Sequence, residues 1–356
     1  LGKLKEAEVS TLKAIEIDPD HSEAFFALST LKLSTKNTTW RDQLFSKNLL
    51  NKTKKDKVSI YFAKANILHR ESNFRESSKY LQLANNLNQT LNPSNVEYLL
   101  NKSKKLFLES NTEEINQKQS FNYPESIFII GMPRCGSTLL ESILSMNNNV
   151  DDLGELNILE KSFLNWKTNE QKLTLADFYL HKTNIYTKEL RTTTNKWLYN
   201  YQYAGIISTQ IPNSKIIHCY RNPLDNILSI YRTNFAKDNE YSSSLIDCAI
   251  IYLDHKQIMK EYKKRFPENI YDLNYDLLVK NPDKEIKSLI NWLGWKWNKA
   301  YLKPHLSKRS VFTASDVQIR SKINSKSIGG WKNYKEMLKP AIEIITKIDK
   351  YKDLKY

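Results

Sequence analysis

The chain has 356 residues, 40% of them hydrophobic, and its 54 Lys and Arg outnumber 39 Asp and Glu to give a formal charge of +15. That length can bury the core of one large domain or two ordinary ones, while no run approaches the roughly eighteen apolar residues of a membrane-spanning helix and no signal peptide is visible. Cys135, Cys219 and Cys248 are isolated, without a C-x-x-C pair, so neither a zinc site nor a disulfide framework is indicated. Separate thiols fit a reducing compartment, and a cytoplasmic location is the expectation; because the chain opens at Leu1 in mid-pattern, an N-terminal piece is expected to precede it. Ten of the fifteen excess positive charges lie beyond residue 120, which suits a polyanionic ligand or simply a solvated basic surface. No nucleic-acid-binding module accompanies that charge, so nucleic acid is not an expected partner.

The first stretch, EAEVSTLKAIEIDPDHSEAFFALS, sets small Ala7 and Ala14 on one helical face, stops at Pro19, and resumes with Phe25, Leu28 and Ser29. Tyr61, Ala65, Leu68, Ser77, Leu81 and Ala84 repeat the rhythm, and Ala14 and Ala84 are 70 residues apart, close to two repeats of about 34. The pattern resembles tetratricopeptide repeats, with an unspecialised helical bundle as the plainer alternative. Stacked repeats bury one another's apolar faces and leave a concave surface for a protein partner. An all-α repeat domain, truncated at its N-terminus, is therefore expected over 1–118.

From Ser110 to Tyr123, SNTEEINQKQSFNY loses apolar periodicity and reads as a linker. A second domain is expected over 124–345. There the apolar runs SIFII, KIIHCY and ENIYDLNY predict strands, each followed by a helix: from Ser137, from Asn222 and Pro223, and near Asn281 and Pro282. Proline in a first helical turn sacrifices no hydrogen bond, which makes Pro223 and Pro282 good start signals. Strand, crossover helix, strand implies an α/β fold with a parallel sheet flanked by helices in three layers.

GMPRCGST, from Gly131 to Thr138, has the G-x-x-x-x-G spacing of a phosphate-binding P-loop, but Ser137 stands where the nucleotide-binding loop carries lysine. The cation is Arg134, whose planar fork suits a tetrahedral oxyanion, with the hydroxyls of Ser137 and Thr138 as further donors. A second cationic feature, CYRNPLDNILSIYR, puts Arg221 at the end of an apolar strand and Ser229 in the helix that follows. Arg221 is either a clamp for a second phosphate or the partner of a neighbouring carboxylate such as Asp225.

Together these segments resemble the sulfotransferase superfamily that uses 3′-phosphoadenosine-5′-phosphosulfate (PAPS). PRCGST matches its 5′-phosphosulfate loop and RNPLDNILS its 3′-phosphate motif, and the arrangement of repeats followed by this domain looks like the bacterial tetratricopeptide sulfotransferases, with a catalytic part similar to tyrosylprotein sulfotransferases. The resemblance runs from about Pro124 to Tyr334. It implies a P-loop-like sulfotransferase domain that takes PAPS as co-substrate, uses no metal, and sulfates an acceptor hydroxyl on a peptide, with tyrosine first, or on another molecule. It assigns PAPS binding to Arg134, Cys135, Gly136, Ser137, Thr138, Arg221, Ser229 and Tyr275, the last from NYDLLV. Glu155, in DLGEL 21 residues beyond Arg134, takes the place of the general base of the protein-sulfating branch. Lys196, 25 residues before Arg221, takes that of the charge-stabilising lysine, although Trp197 and Leu198 depart from the family's pattern there. Arg320, Ser327 and Lys332 fall in SDVQIRSKINSKSIGGWKNY, which resembles the segment closing over the 3′-phosphate and adenine. Two rivals stand beside this reading. A P-loop kinase would need the missing lysine, and a non-catalytic repeat scaffold would carry a degenerate nucleotide-binding domain.

Overall fold

The computed structural model describes residues 4–31, 39–46, 51–112, 123–168, 173–187, 191–235, 238–307 and 321–355. The chain forms two compact units, one from Leu1–Val96, Pro223–Ile251 and Ser327–Tyr356, the other from Glu97–Asn222 and Tyr252–Lys326. Much of the Ser110–Tyr123 linker, residues 113–122, lies outside the described residues.

The first unit is helical. Helices α1 (Leu4–Ile17), α2 (Ser22–Thr30), α3 (Thr39–Ser46), α4 (Lys54–Arg70) and α5 (Phe74–Leu91) supply its N-terminal part. As Pro19 predicts, α1 stops just before it. Ile15, Phe25, Leu28, Trp40, Leu44, Ile60 and Ile67 form one buried cluster. Between α4 and α5 the chain reverses through Ser72 at φ 60°, and the Asn73 amide donates to the Leu68 carbonyl at 2.8 Å, closing the end of α4 before Asn73 caps α5. The later stretches of the unit are fastened to this pair. Asn85 Nδ2 donates to the Tyr231 carbonyl at 2.9 Å, and the Tyr334 hydroxyl lies 2.8 Å from His69 Nδ1 and 3.0 Å from Ser77 Oγ.

The second unit holds a five-stranded sheet: β1 (Ser126–Gly131), β2 (Val150–Asp152), β3 (Thr192–Asn195), β4 (Ser214–Tyr220) and β5 (Ile270–Asn274), in the order β2-β3-β1-β4-β5, all neighbours parallel. Alternate residues of β1 feed opposite cores, as period two requires. Ile127 and Ile129, with Ile217 and Leu273, pack under α7 (Ser137–Leu144) and α14 (Pro282–Leu293). Phe128 and Ile130, with Ile216, pack under α8 (Ile158–Lys167), α9 (Leu175–Thr183) and α10 (Ala204–Gln210), joined by Leu106 of α6 (Val96–Thr112) and by Ile258, Met259 and Tyr262 of α12 (Leu245–Arg265). This is the expected three-layer α/β arrangement. Two details differ from the sequence reading. Strands β2 and β3 were not anticipated, being short and polar. The third apolar run ends a residue early, because Asn274 Oδ1 accepts from the amides of Asp276 and Leu277 and starts a short helix, α13 (Tyr275–Lys280), ahead of α14.

His69 provides a check on the first unit. Burial, reinforced by Arg232 and Arg70, lowers it from 6.5 to about 3. The folded chain thus keeps a neutral imidazole that the unfolded chain protonates, and its contribution is complete above pH 6.5 and withdrawn as pH falls toward about 3. The unfolding free energy of wild type minus that of His69→Gln, from urea titrations, should fall by roughly 2 to 4 kcal/mol across that range. A difference independent of pH contradicts this assignment.

Candidate active site

Strands β1 and β4 run parallel in a register that sets Gly131 beside Cys219. Both chains therefore leave the sheet at the same level, the carboxyl edge where open α/β sheets bind ligands. Past Gly131 the backbone turns through Arg134 at φ 66° and Gly136 at φ 99°, and α7 begins at Ser137 with a glycine at its N-cap, which has no side chain to cap it. Such an end, with its dipole and its donors, favours an anion. The side chains on offer, Arg134 and the Ser137 and Thr138 hydroxyls, are all donors.

Past Cys219, Arg221 is nearly enclosed, with 6% of its surface exposed. Its Nη1 reaches the Arg134 carbonyl at 3.4 Å, and its guanidinium lies 4.9 Å from the centre of the Tyr275 ring. The same ring closes on the loop, since a Cβ at Gly136 would come within 2.1 Å of it. Tyr252 donates its hydroxyl to the Arg221 carbonyl at 3.0 Å, and Asp276 accepts from the Asn222 amide at 2.7 Å. Arg134, Gly136, Arg221 and Tyr275 are thus brought together. Cys135 joins them through the backbone only, because its thiol is buried below the loop. Burial pushes that thiol up, and hydrogen bonding to Cys219 and Ser137 outweighs it and leaves Cys135 below its ordinary range; the hydrogen bond to Cys135, followed by burial, pushes Cys219 well above.

A second cluster forms at the ends of β2 and β3. Gly154 turns at φ 60°, its amide held by Asp152 Oδ1 at 2.9 Å, while its carbonyl accepts from the Lys196 amide at 2.9 Å. Asn195 Nδ2 fixes the Leu156 carbonyl at 2.9 Å. These bonds present Glu155 to Lys196, Nζ to Oε1 2.6 Å. Lys196 also lies 3.4 Å from Glu141 Oε2 on α7. Its side chain and that of Glu141 are fully enclosed, whereas 46% of the Glu155 side chain is exposed. A buried ammonium flanked by two carboxylates can face negative charge on a bound group, while the exposed carboxylate can meet a second molecule from solvent.

Ser229 is half-buried on α11 (Pro223–Tyr231), and Ser327 and Lys332 are exposed; all three belong to the first unit. There Asp225 accepts from the amides of Gly329 at 2.7 Å and Trp331 at 3.0 Å, pinning the segment that carries Ser327 and Lys332. Arg320 lies outside the described residues. His218 is a core histidine, buried, with Nδ1 2.7 Å from Asp272 and Nε2 3.0 Å from His255.

Residues 166–299 match the family model described as the sulfotransferase family. Along its length the chain is similar to an uncharacterized protein of Aquifex aeolicus (strain VF5), at 27% identity over 394 residues, which take in 99% of this chain and 51% of the other. The chain therefore spans about half the length of that relative. A Caenorhabditis briggsae protein named "Putative protein-tyrosine sulfotransferase" is 26% identical over 231 residues, covering 59% of this chain and 81% of that one. Among solved structures, the sulfotransferase domain from the Synechococcus PCC 7002 olefin synthase gives a TM-score of 0.46 at 19% identity, over 63% of this chain and 96% of that one. A mouse sulfotransferase complexed with PAP gives 0.41 at 15%, over 69% and 94%.

Sequence reasoning missed two participants in these clusters, Glu141 and Tyr252. The available signal for Glu141 was a lone carboxylate in the apolar run LLESIL. Both strain and contact fix Gly136, and they can be separated. Gly136→Ala should lower stability by roughly 2 to 4 kcal/mol, and in a Tyr275→Ala background the same change should cost only the backbone share, about 1 kcal/mol. Urea unfolding of the four proteins of this cycle measures it; equal penalties in both backgrounds would show that the ring does not press on the loop.

Proposed function

We propose that the chain is a PAPS-dependent sulfotransferase. The observation that carries this reading is the meeting of the two anion motifs, the Arg221 guanidinium at the Arg134 carbonyl with Tyr275 against both segments. The donor set fits a ligand with two anionic groups: guanidinium and hydroxyl donors at a helix start for one, a nearly buried arginine for the other. Arg134, Gly136, Ser137 and Thr138 would hold the 5′-phosphosulfate, with Cys135 contributing backbone, and Arg221 the 3′-phosphate. Ser229, Tyr275, Arg320, Ser327 and Lys332 complete the set on the strength of the motifs. PAPS supplies the activated sulfuryl group.

Glu155 would take the proton of the acceptor hydroxyl as its oxygen bonds to sulfur. Arg134 and Lys196 would stabilise the charge that passes to the phosphate oxygen when the old sulfur–oxygen bond breaks. Lys196 fits that role because it is held in place before any ligand arrives, so little reorganisation is needed during transfer. Peptide tyrosine is the proposed acceptor class, supported by the Glu155 and Lys196 pattern of the protein-sulfating branch and by the name of the Caenorhabditis briggsae relative. The helices of residues 1–118, read as tetratricopeptide repeats, would recruit that acceptor.

Transfer of label from PAPS to a peptide and glycan panel tests the reading. Glu155→Ala should lower transfer about a hundredfold or more, the loss expected for a general base, while leaving the affinity for PAP within about twofold. Transfer undiminished in Glu155→Ala removes that residue from the chemistry.

A further inference from the structure

Glu141 has no part in the roles that the family resemblance assigns. Its neighbours on α7, Leu140, Ile143 and Leu144, pack into the core, and Glu141 lies fully enclosed with them, Oε2 3.4 Å from Lys196 Nζ. An enclosed ammonium needs a carboxylate beside it, and removing that carboxylate is far costlier than losing a surface pair. Lys196 has two such partners, and the proposed transfer treats them differently. Glu155 is half open to solvent and gives up its negative charge when it takes the acceptor's proton. Lys196 must remain charged and in place at that moment, because charge is then passing to the leaving phosphate oxygen.

We infer that Glu141 is a positioning residue, the permanent counter-ion that keeps the Lys196 ammonium in place while Glu155 is protonated. This rests on the sulfuryl-transfer reading above. Glu141 exchanges no proton in it: the acceptor's proton stays on Glu155 until the product departs. Of other carboxylates close by in the chain, Asp152 accepts from the Gly154 amide and Glu160 accepts from Lys102, Asn157 and Tyr203. Among the described residues, Glu141 from α7 and Glu155 from the turn after β2 are the carboxylates paired with Lys196.

Two measurements on the full chain decide it. In steady-state transfer from PAPS to the acceptor panel, Glu141→Gln should lower kcat about tenfold or more with the KM for PAPS within about twofold, and Glu141→Asp, which keeps the charge, should recover part of the loss. In urea unfolding, Glu155→Gln stands in for the protonated base. It should shift the midpoint little while Glu141 is present, whereas Glu141→Gln with Glu155→Gln should lose more than the two single changes together, and Lys196→Met should remove that excess. Should Glu141→Gln fail to fold, Glu141→Asp carries the kinetic test through a kcat loss without a KM change. Wild-type kcat in either folded Glu141 variant that the test relies on, or additive midpoint shifts, overturns the inference. Loss of transfer in Glu155→Ala with full transfer in Glu141→Gln overturns this inference alone; a wild-type chain that transfers nothing overturns the sulfuryl-transfer reading and this inference with it.

Discussion

The register of β1 against β4 is the constraint on which the site depends. Because Gly131 lies beside Cys219, the loop that leads into α7 and the arginine that follows the neighbouring strand emerge together. A side chain at Gly131 would come within 2.3 Å of the Cys219 carbonyl, so the close approach of the two strands itself demands glycine there. A slip of one residue would send every apolar side chain of β1 to the wrong core. The fold therefore secures the spacing of the loop and Arg221 by the burial of Ile127, Phe128, Ile129 and Ile130.

The ion cluster around Lys196 is a different kind of constraint. Placing an ammonium and a carboxylate out of water costs stability unless each satisfies the other, and the sequence surrounds the pair with core rather than solvent. The backbone does the aligning: the Lys196 amide on the Gly154 carbonyl, and the Asn195 side chain on the Leu156 carbonyl, bring a strand end and a turn into register before any charge interacts. Rigid presentation of a buried charge is what electrostatic stabilisation of a reaction requires. Of the two carboxylates, Glu155 is the one exposed to solvent.

Much of this was legible in the sequence, for identifiable reasons. Strands β1 and β4 are buried on both faces and so read as unbroken apolar runs, and Pro223 and Pro282 mark helix starts by chemistry that holds regardless of tertiary context. The loop and Arg221 carry signatures that are local. What escaped was tertiary. TTTN and VDD have no apolar pattern because β2 and β3 are short, and their pairing follows from the longer strand beside them. Asn274 ends its strand by capping, a competition between local hydrogen bonds that apolarity cannot report. The amphipathic period of α6 does not say which core it faces, and Leu106 packs with the sheet. Glu141, a lone carboxylate in LLESIL, says nothing of its partner, because Lys196 is distant in sequence.

The central claim is that one ligand spans Arg134 and Arg221, and calorimetric titration tests it most directly. PAP should bind the wild-type chain, and Arg221→Ala should weaken PAP about 10- to 100-fold, the value of a charge-assisted contact. Adenosine 5′-phosphosulfate, which lacks the 3′-phosphate, should bind wild type and Arg221→Ala alike, while Arg134→Ala should weaken both ligands. Failure of PAP to bind, or equal losses for the two ligands in Arg221→Ala, would contradict the assignment of the two arginines to separate ends of one nucleotide.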